Sequence, residues 1–588
     1  RTRSNVDMSA TPLEQQMDFV HGVARKTEVI DLAARDKSEA VTRQIDSHMS
    51  RLMGIRVDEN DQSHPSWAPG PFMKLSGIKD PEQRAQWRQA DDSENDGLKR
   101  AGCVTECKLK DVPKGTKIIG SMTTRQVKRS AKKKSRTVSL GNQMQWKVHY
   151  DRTQSPTIMH PSMRMLFAVA MALNMKMKGG DFSQAFINAS LKPSEYYYMY
   201  PPMSARQYDD DGDRIVWHVT KALYGGKNSG RAWFYHLKDF LIKKCGYKQS
   251  HGDPCVFYRV SESGTRIIIG LYVDDTLILY DDDAEYQELV ATITSKFDYS
   301  EQSPLRDLCG IEVTETEGYV QLTLTDKINK LAEQFLSDSE RNEKVHVPAT
   351  EKLEALVEEA LKSTATPSPE LLQEFRELLG ALLFIFITVR VEIGYAMGLL
   401  CRVGSKPTPE TMEEAKRVLK YLHTYKDLGL RYSRHGSKKI EGMSDSDWNV
   451  TASISAYVFL LAGAAVSYLS KKQPTIAMAS QEAEIYAASL AGLEAVYLAC
   501  LYSEITGKKL EKIDIGVDNS GAVSLANDYV SNSRVRHYSR RHLKIRELVE
   551  EGLVAVNKVG TLDNISDLLS KALGRRKFEK FRKAVLNM

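Results

Sequence analysis

An α/β and α+β multidomain protein is predicted, on three observations. The 588 residues exceed what one hydrophobic core holds, and about 150 residues per domain suggests roughly three or four packed units. A hydrophobic fraction of 42% and a charged fraction of 27% are ordinary globular usage, which excludes global disorder. From residue 97 onward, short β-branched runs alternate with helical patterns, as sheets layered with helices require.

Residues 1–95 are polar, with weak helical periodicity over 13–52 and a loop-like stretch SHPSWAPG at 63–70, and carry no assignable role. Within 96–347, RIIIGL (266–271) and TLILY (276–280) flank an acidic turn and predict a β-hairpin. In 348–437, loop-prone residues to 369 surround a short helical piece at 352–362, and amphipathic helices follow over 371–383 and 409–425. The last of these has Glu410, Glu413 and Glu414 early and Lys416, Arg417 and Lys420 late, as the helix dipole favours. In 438–588 the pattern gives a strand ending in acids, a hairpin, a long helix after Ser480, a strand ending in Asp518 and a last helix from Ile565.

The formal net charge of +6 is modest, but Lys and Arg cluster at 125–136, 534–546 and 575–583. One such run alone is usually a solvated face; three are candidate footprints for phosphates. The seven cysteines, Cys103, Cys107, Cys245, Cys255, Cys309, Cys401 and Cys500, are scattered and contain no CxxC pair. That argues against a disulfide framework or a zinc ribbon and for a reducing compartment. The apolar runs at 378–389 and 457–469 fall short of the roughly 20 residues that span a bilayer and read as core. The opening RTRSNVDMSA has no initiator Met and no signal segment, so a fragment of a longer protein is expected.

Asp274 and Asp275 in LYVDD sit at the tip of the predicted hairpin, and Asp181 ends an apolar segment upstream. Acids in turns are common without a role. Together these three could hold two divalent cations about 4 Å apart, the arrangement that phosphoryl transfer uses. The ordered series GDFSQAFIN (180–188), KALYGGKNSGRAWF (221–234), GYKQSHGDPCVFY (246–258), LYVDDTLIL (271–279) and LCGIEV (308–313) resembles copia-type reverse transcriptases of LTR retrotransposons.

The resemblance implies a right-hand polymerase of fingers, palm and thumb, with Asp181 and Asp274 ligating both metals and Asp275 assisting. It implies Phe186 under the incoming sugar, Tyr224, Gly225 and Tyr272 bordering the nucleotide, and Lys134 or Arg136 reaching the triphosphate. Lys132, Lys133, Arg231 and Gly310 are expected on nucleic acid, Gly310 in a turn that grips the primer. LYGGKNSGRAW departs from the family's LYGLKQAPRAW, and Gly226 and Gly230 are expected to add flexibility beside the nucleotide.

Downstream, GMSDSDW (442–448), SKKQPTIAMASQEAEIYAA (470–488), IGVDNSGAVSLA (515–526) and DNISDLLSKAL (563–573) resemble the ribonuclease H region of the same family. One acid from each gives Asp445, Glu482, Asp518 and Asp567 as metal ligands. Glu482 is preferred to Glu484 because the family's STEAEY block resembles SQEAEI with its first acid in the ligand position, and Asp447 is set aside as a neighbour. RHYSRRHLKIRE (536–547) matches the family's KHIDIRYHFIRE in length, so His537 is either a hybrid-binding or a structural histidine.

The resemblance covers 97–588, although VEIGYAMGLLCR (391–402) departs from the family's RPDI. No DTG or DSG triplet and no HHCC pattern occurs, so protease and most or all of the integrase are expected outside this chain. The resemblance implies an RNA- and DNA-directed DNA polymerase with a ribonuclease H-like domain, using two Mg²⁺ per site, with Mn²⁺ as a substitute. Implied partners are an RNA template, a DNA primer, RNA–DNA hybrid, dNTPs and other Gag and Pol products, in a cytoplasmic virus-like particle with nuclear access. The alternative is a decayed or domesticated nucleic-acid-binding relic. The full set of acids favours the enzyme; the glycines beside Tyr224 and the shortened loop after Trp448 favour decay.

Overall fold

A computed structural model describes residues 68–70, 73–127, 132–448, 453–509, 511–528 and 543–588. The periodicity at 13–52, most of the 63–70 stretch and His537 lie outside these residues.

The helix Pro81–Arg100 starts at Asp80, whose carboxylate accepts from the Glu82 amide, and has Pro in its first turn. It crosses the expected boundary at residue 95. Its polar side chains resemble those of a linker, but the strand pair Ser121–Val127 and Lys133–Ser139 buries them. Asp91 accepts from Arg125 and Ser135, while Glu94 and Asn95 accept from the Thr137 amide and hydroxyl.

The hairpin Arg266–Tyr272 and Asp275–Tyr280 forms as expected, in a sheet of six strands. Across the sheet these run Tyr299–Gln302, Lys176–Phe182, Asp275–Tyr280, Arg266–Tyr272, Val256–Val260, Lys248–Gln249. The helix His160–Leu173, buried along nearly its whole length, backs this sheet: a Cβ at Gly270 would fall 2.6 Å from Leu166. A Cβ at Gly180 would fall 1.9 Å from the Tyr299 hydroxyl oxygen, so glycine is required where that ring braces the strand carrying Asp181.

LCGIEV is a two-residue hairpin turn, with Leu308 facing Ile311 and Cys309 and Gly310 at φ 54° and 79°. Its sheet continues through Tyr319–Thr323 to Leu430–Ser433, so the segment expected as thumb and connection sends a strand back to the turn that follows the palm. The helix Pro369–Thr388 runs past its expected end, and Leu353–Lys362 and Pro409–Thr424 form as read. Arg390 and Glu392 form a fully buried ion pair at 2.7 Å, and the Tyr421 hydroxyl donates to Glu392.

The C-terminal sheet runs Ala464–Lys472, Ile454–Leu461, Glu441–Asp447, Ile513–Val517, Val554–Lys558, antiparallel over the first three strands and parallel over the last three. The helix Ser480–Thr506 is long and apolar enough to cross a bilayer by length and composition, but it packs on this sheet. The helix also docks on the palm. Tyr497 Oη lies 2.6 Å from Ser162 Oγ, and Glu504 accepts from Ser250 and from His251 Nδ1 at 2.9 Å. Arg164 of the palm donates to the carbonyls of Val466 and Thr388, so the two sheets share one continuous core.

Candidate active sites

Strand register builds the first site. Asp275 pairs directly with Asp181 on the neighbouring strand, and the Asp274 carbonyl accepts from the Phe182 amide at 3.0 Å. Val273 holds the tip at φ 59°, a left-handed conformation costly for a β-branched residue, and its carbonyl accepts from the Trp233 indole at 2.7 Å. Burial, then Asp274, Asp181 and Asp307, push the Asp275 carboxyl up to about 7, while a Cys309 thiol hydrogen bond opposes them. Burial raises Asp274 too; its own backbone amide, Arg136 and Lys134 oppose this, and Asp181 adds to it.

The period-2 alternation of Lys133–Ser139 decides which basic residues reach this site. Ser135, Thr137 and Ser139 are buried, the first two against the helix Pro81–Arg100. Lys134 and Arg136 take the other face, within electrostatic range of Asp274. Arg136 lies 4.8 Å over the Tyr224 ring, whose centroid is 5.0 Å from that of Phe186. Two expectations fail on this strand pair. Lys133 lies 5.2 Å over Trp87, on the helix side, and Arg125 is buried in its pair with Asp91 at 2.7 Å, so neither is placed for phosphates.

Gly225 sits at φ 82°, where a Cβ would fall 2.1 Å from the Ser139 carbonyl. The flexibility expected at Gly226 is a second correction, because a Cβ there would meet Ser229 Oγ at 2.5 Å in a tight turn that Ser229 closes on the Leu223 carbonyl. Arg231 donates to the Gln154 carbonyl at 3.2 Å, Tyr272 is 36% exposed at the hairpin tip, and Lys132 is exposed.

The second site gathers Asp445 from the strand Glu441–Asp447, Glu484 from the helix Ser480–Thr506, and Asp518 just after Ile513–Val517. One carboxylate oxygen from each lies within 4.8 Å of the others. Glu482, the acid the sequence favoured, is excluded from this group. It lies in the first helical turn and turns back to accept from the Met478 amide at 2.8 Å, as acids at helix N-termini do. Glu484 lies two residues further in. That position in the helix was the signal available in the sequence.

Burial, Asp445 and Asp518 push Glu484 up to about 9; burial and Asp567 raise Asp445 to about 6, against the pull of Lys571. Glu484 Oε2 is buried with no hydrogen-bond partner. An orphaned oxygen among crowded acids is what a divalent cation would satisfy, so the donor set fits a metal. Asp567 is fully buried nearby and bound by Lys571 at 2.8 Å and by Lys577, while Ser570 donates to Asp445. Sequence reasoning missed these three. Lys577 came from a run read as a phosphate footprint, and its neighbour Lys580 likewise pairs with Asp563 at 2.9 Å. Asp447 stands outside the group.

The one other such group among the described residues is Asp209, Asp211 and Asp213, and Lys108 already lies at 2.9, 2.7 and 3.1 Å from them. Asp181, Asp274 and Asp275 are not gathered this tightly, so a cation would have to draw them together.

The raised carboxyls give a pH prediction. Between the ordinary carboxylate range and about 9, the folded site keeps protons that the unfolded chain has released. This contribution to stability is fully present at low pH and is lost as pH rises through about 6 and about 9. Metal-free protein should therefore lose Tm toward alkaline pH, and Glu484→Gln should flatten that decline in thermal melts taken across the range. An identical slope in the variant would locate the titration elsewhere.

Residues 105–350 match the reverse transcriptase (RNA-dependent DNA polymerase) family. The Pol polyprotein from transposon TNT 1-94 of Nicotiana tabacum is 26% identical over 521 residues, covering 86% of this chain and 38% of that one. That of transposon RE1 of Arabidopsis thaliana is 28% identical over 454 residues, covering 76% and 30%. The Ty1-H Gag-Pol polyprotein of Saccharomyces cerevisiae is 24% identical over 486 residues, covering 79% and 26%. A foamy viral protease-reverse transcriptase in complex with double-stranded DNA has a TM-score of 0.43 at 12% identity, covering 81% of this chain and 70% of that one. The chain thus carries a reverse transcriptase domain. Over most of its length it is similar to retrotransposon Pol polyproteins, and it spans between about a quarter and two fifths of the length of these curated relatives.

Proposed function

We propose that this chain is an RNA- and DNA-directed DNA polymerase that also cleaves RNA in RNA–DNA hybrids, using Mg²⁺ at both carboxylate sites. The observation that carries the reading is that one continuous core presents two separate acid clusters. One lies at a strained hairpin tip beside Asp181, the other on a five-stranded sheet with Glu484. Divalent cations held there would activate an attacking oxygen and stabilise a leaving one. The chain's own residues supply the rest. Lys134 and Arg136 face the first acids and would receive a triphosphate, and Arg136 fixes the Tyr224 ring. The test is primer extension on an RNA template, run beside cleavage of a labelled hybrid. Failure of both with folded protein would sink the proposal in favour of a binding relic. The close packing of Gly226 speaks against that alternative, since the departure from the family is built into a tight turn.

Sugar choice follows from Phe186, half-buried and edge-on to Tyr224 at 5.0 Å. A fixed ring excludes a 2′-hydroxyl by contact and cannot accept its hydrogen bond, at a cost of roughly 1 to 3 kcal/mol. Phe186→Val is expected to shift the ratio of kcat/KM for dNTP over rNTP about tenfold toward ribonucleotides. A ratio that does not move would make Phe186 a packing residue only.

A further inference from the structure

Residues 141–151 form a loop leading out of the strand Lys133–Ser139, and at its crest Trp146 is 63% exposed. The ring is held rigidly. Its indole N–H donates to the Asp151 carbonyl at 3.0 Å, and Lys147, at φ 65°, places its ammonium 5.0 Å over the indole and 2.6 Å from the Asp151 carboxylate. The buried His149 closes the loop by accepting from the Gln145 amide at 2.9 Å. Further cations lie about the loop. Arg152 and Lys192 act on Asp151 along with Lys147, and exposed Lys227 lies 5.5 Å over Tyr150. The loop shares a wall with the segment bordering the nucleotide. A Cβ at Gly141 would fall 2.1 Å from the Gly225 carbonyl, and the Ser139 amide donates to the Tyr224 carbonyl at 2.8 Å.

We propose that Trp146 is a stacking platform for a base of single-stranded nucleic acid, the template ahead of the polymerase site, with Lys147, Arg152, Lys192 and Lys227 taking its phosphates. The proposal rests on the polymerase reading for the source of that strand. An immobilised aromatic face among cations suits any base, because every base has a π face, and it suits a single strand because duplex bases are already stacked. The acid in the patch is neutralised by Lys147, leaving net positive charge for the backbone.

The test is fluorescence anisotropy of the full chain in chelator, with a blunt primer–template duplex and the same duplex carrying a single-stranded template overhang. Trp146→Ala should weaken binding of the overhang substrate about tenfold or more and leave the blunt duplex unchanged. Trp146→Phe should restore most of the loss. Equal losses on both substrates, no loss, or a wild type that does not prefer the overhang would each overturn the platform. Because the assay involves no catalysis, a wild type that fails to extend primers yet shows a Trp146-dependent overhang preference would leave the platform standing and remove the polymerase reading. Normal extension with an overhang preference that survives Trp146→Ala would do the reverse.

Discussion

Asp274→Asn is expected to lower primer extension by about 10³-fold or more, since the several kcal/mol that a metal site supplies corresponds to a decade per 1.36 kcal/mol. Asp274 sits at the hairpin tip with Asp181 and Asp275 on the paired strands beside it, and Lys134 and Arg136 oppose its raised carboxyl. The amide retains size and shape, so the Phe182 amide bond to the Asp274 carbonyl and the sheet register should survive. Cleavage of RNA in a hybrid should persist, because no ligand is shared with the second cluster. Parallel extension and cleavage assays on one preparation read both outcomes. Loss of both activities in a protein that melts like wild type would mean that the clusters do not act separately.

Glu484→Gln is expected to do the opposite, abolishing hybrid cleavage by a similar factor while extension continues. The informative comparison is Glu482→Gln. Glu482 accepts the Met478 amide at the helix start, a bond that the glutamine carbonyl can also accept, so the change should cost at most about 1 kcal/mol of stability and little cleavage. If Glu482→Gln abolished cleavage and Glu484→Gln did not, the cluster of Asp445, Glu484 and Asp518 would not be the working ligand set. The crowding that raises Glu484 also predicts that the Glu484→Gln protein, free of metal, melts no lower than wild type at alkaline pH.

The amino-acid sequence by itself determined the features carried by local pattern. The hairpin at 266–280 was legible because β-branched runs flank a short turn, and Pro409–Thr424 because apolar residues recur at helical spacing between charged ends. The order of the motifs singled out acids far apart in the chain that the fold brings near one another, Asp181 beside Asp274 and Asp275 on paired strands, and Asp445 beside Asp518 and Asp567. Where local pattern permits two answers, only tertiary structure chose. Residues two apart on a helix point about 200° from each other, so Glu482 and Glu484 cannot both face the sheet, and the first is diverted by free amides at the helix start. Adjacent residues on a strand point to opposite faces, so Lys134 reaches the acids and Lys133 reaches Trp87. The polar helix Pro81–Arg100 and the lysines at Asp567 were misread for a related reason. A buried charge looks like a surface one in sequence, and its partner, as with Asp91 and Arg125, can lie far along the chain.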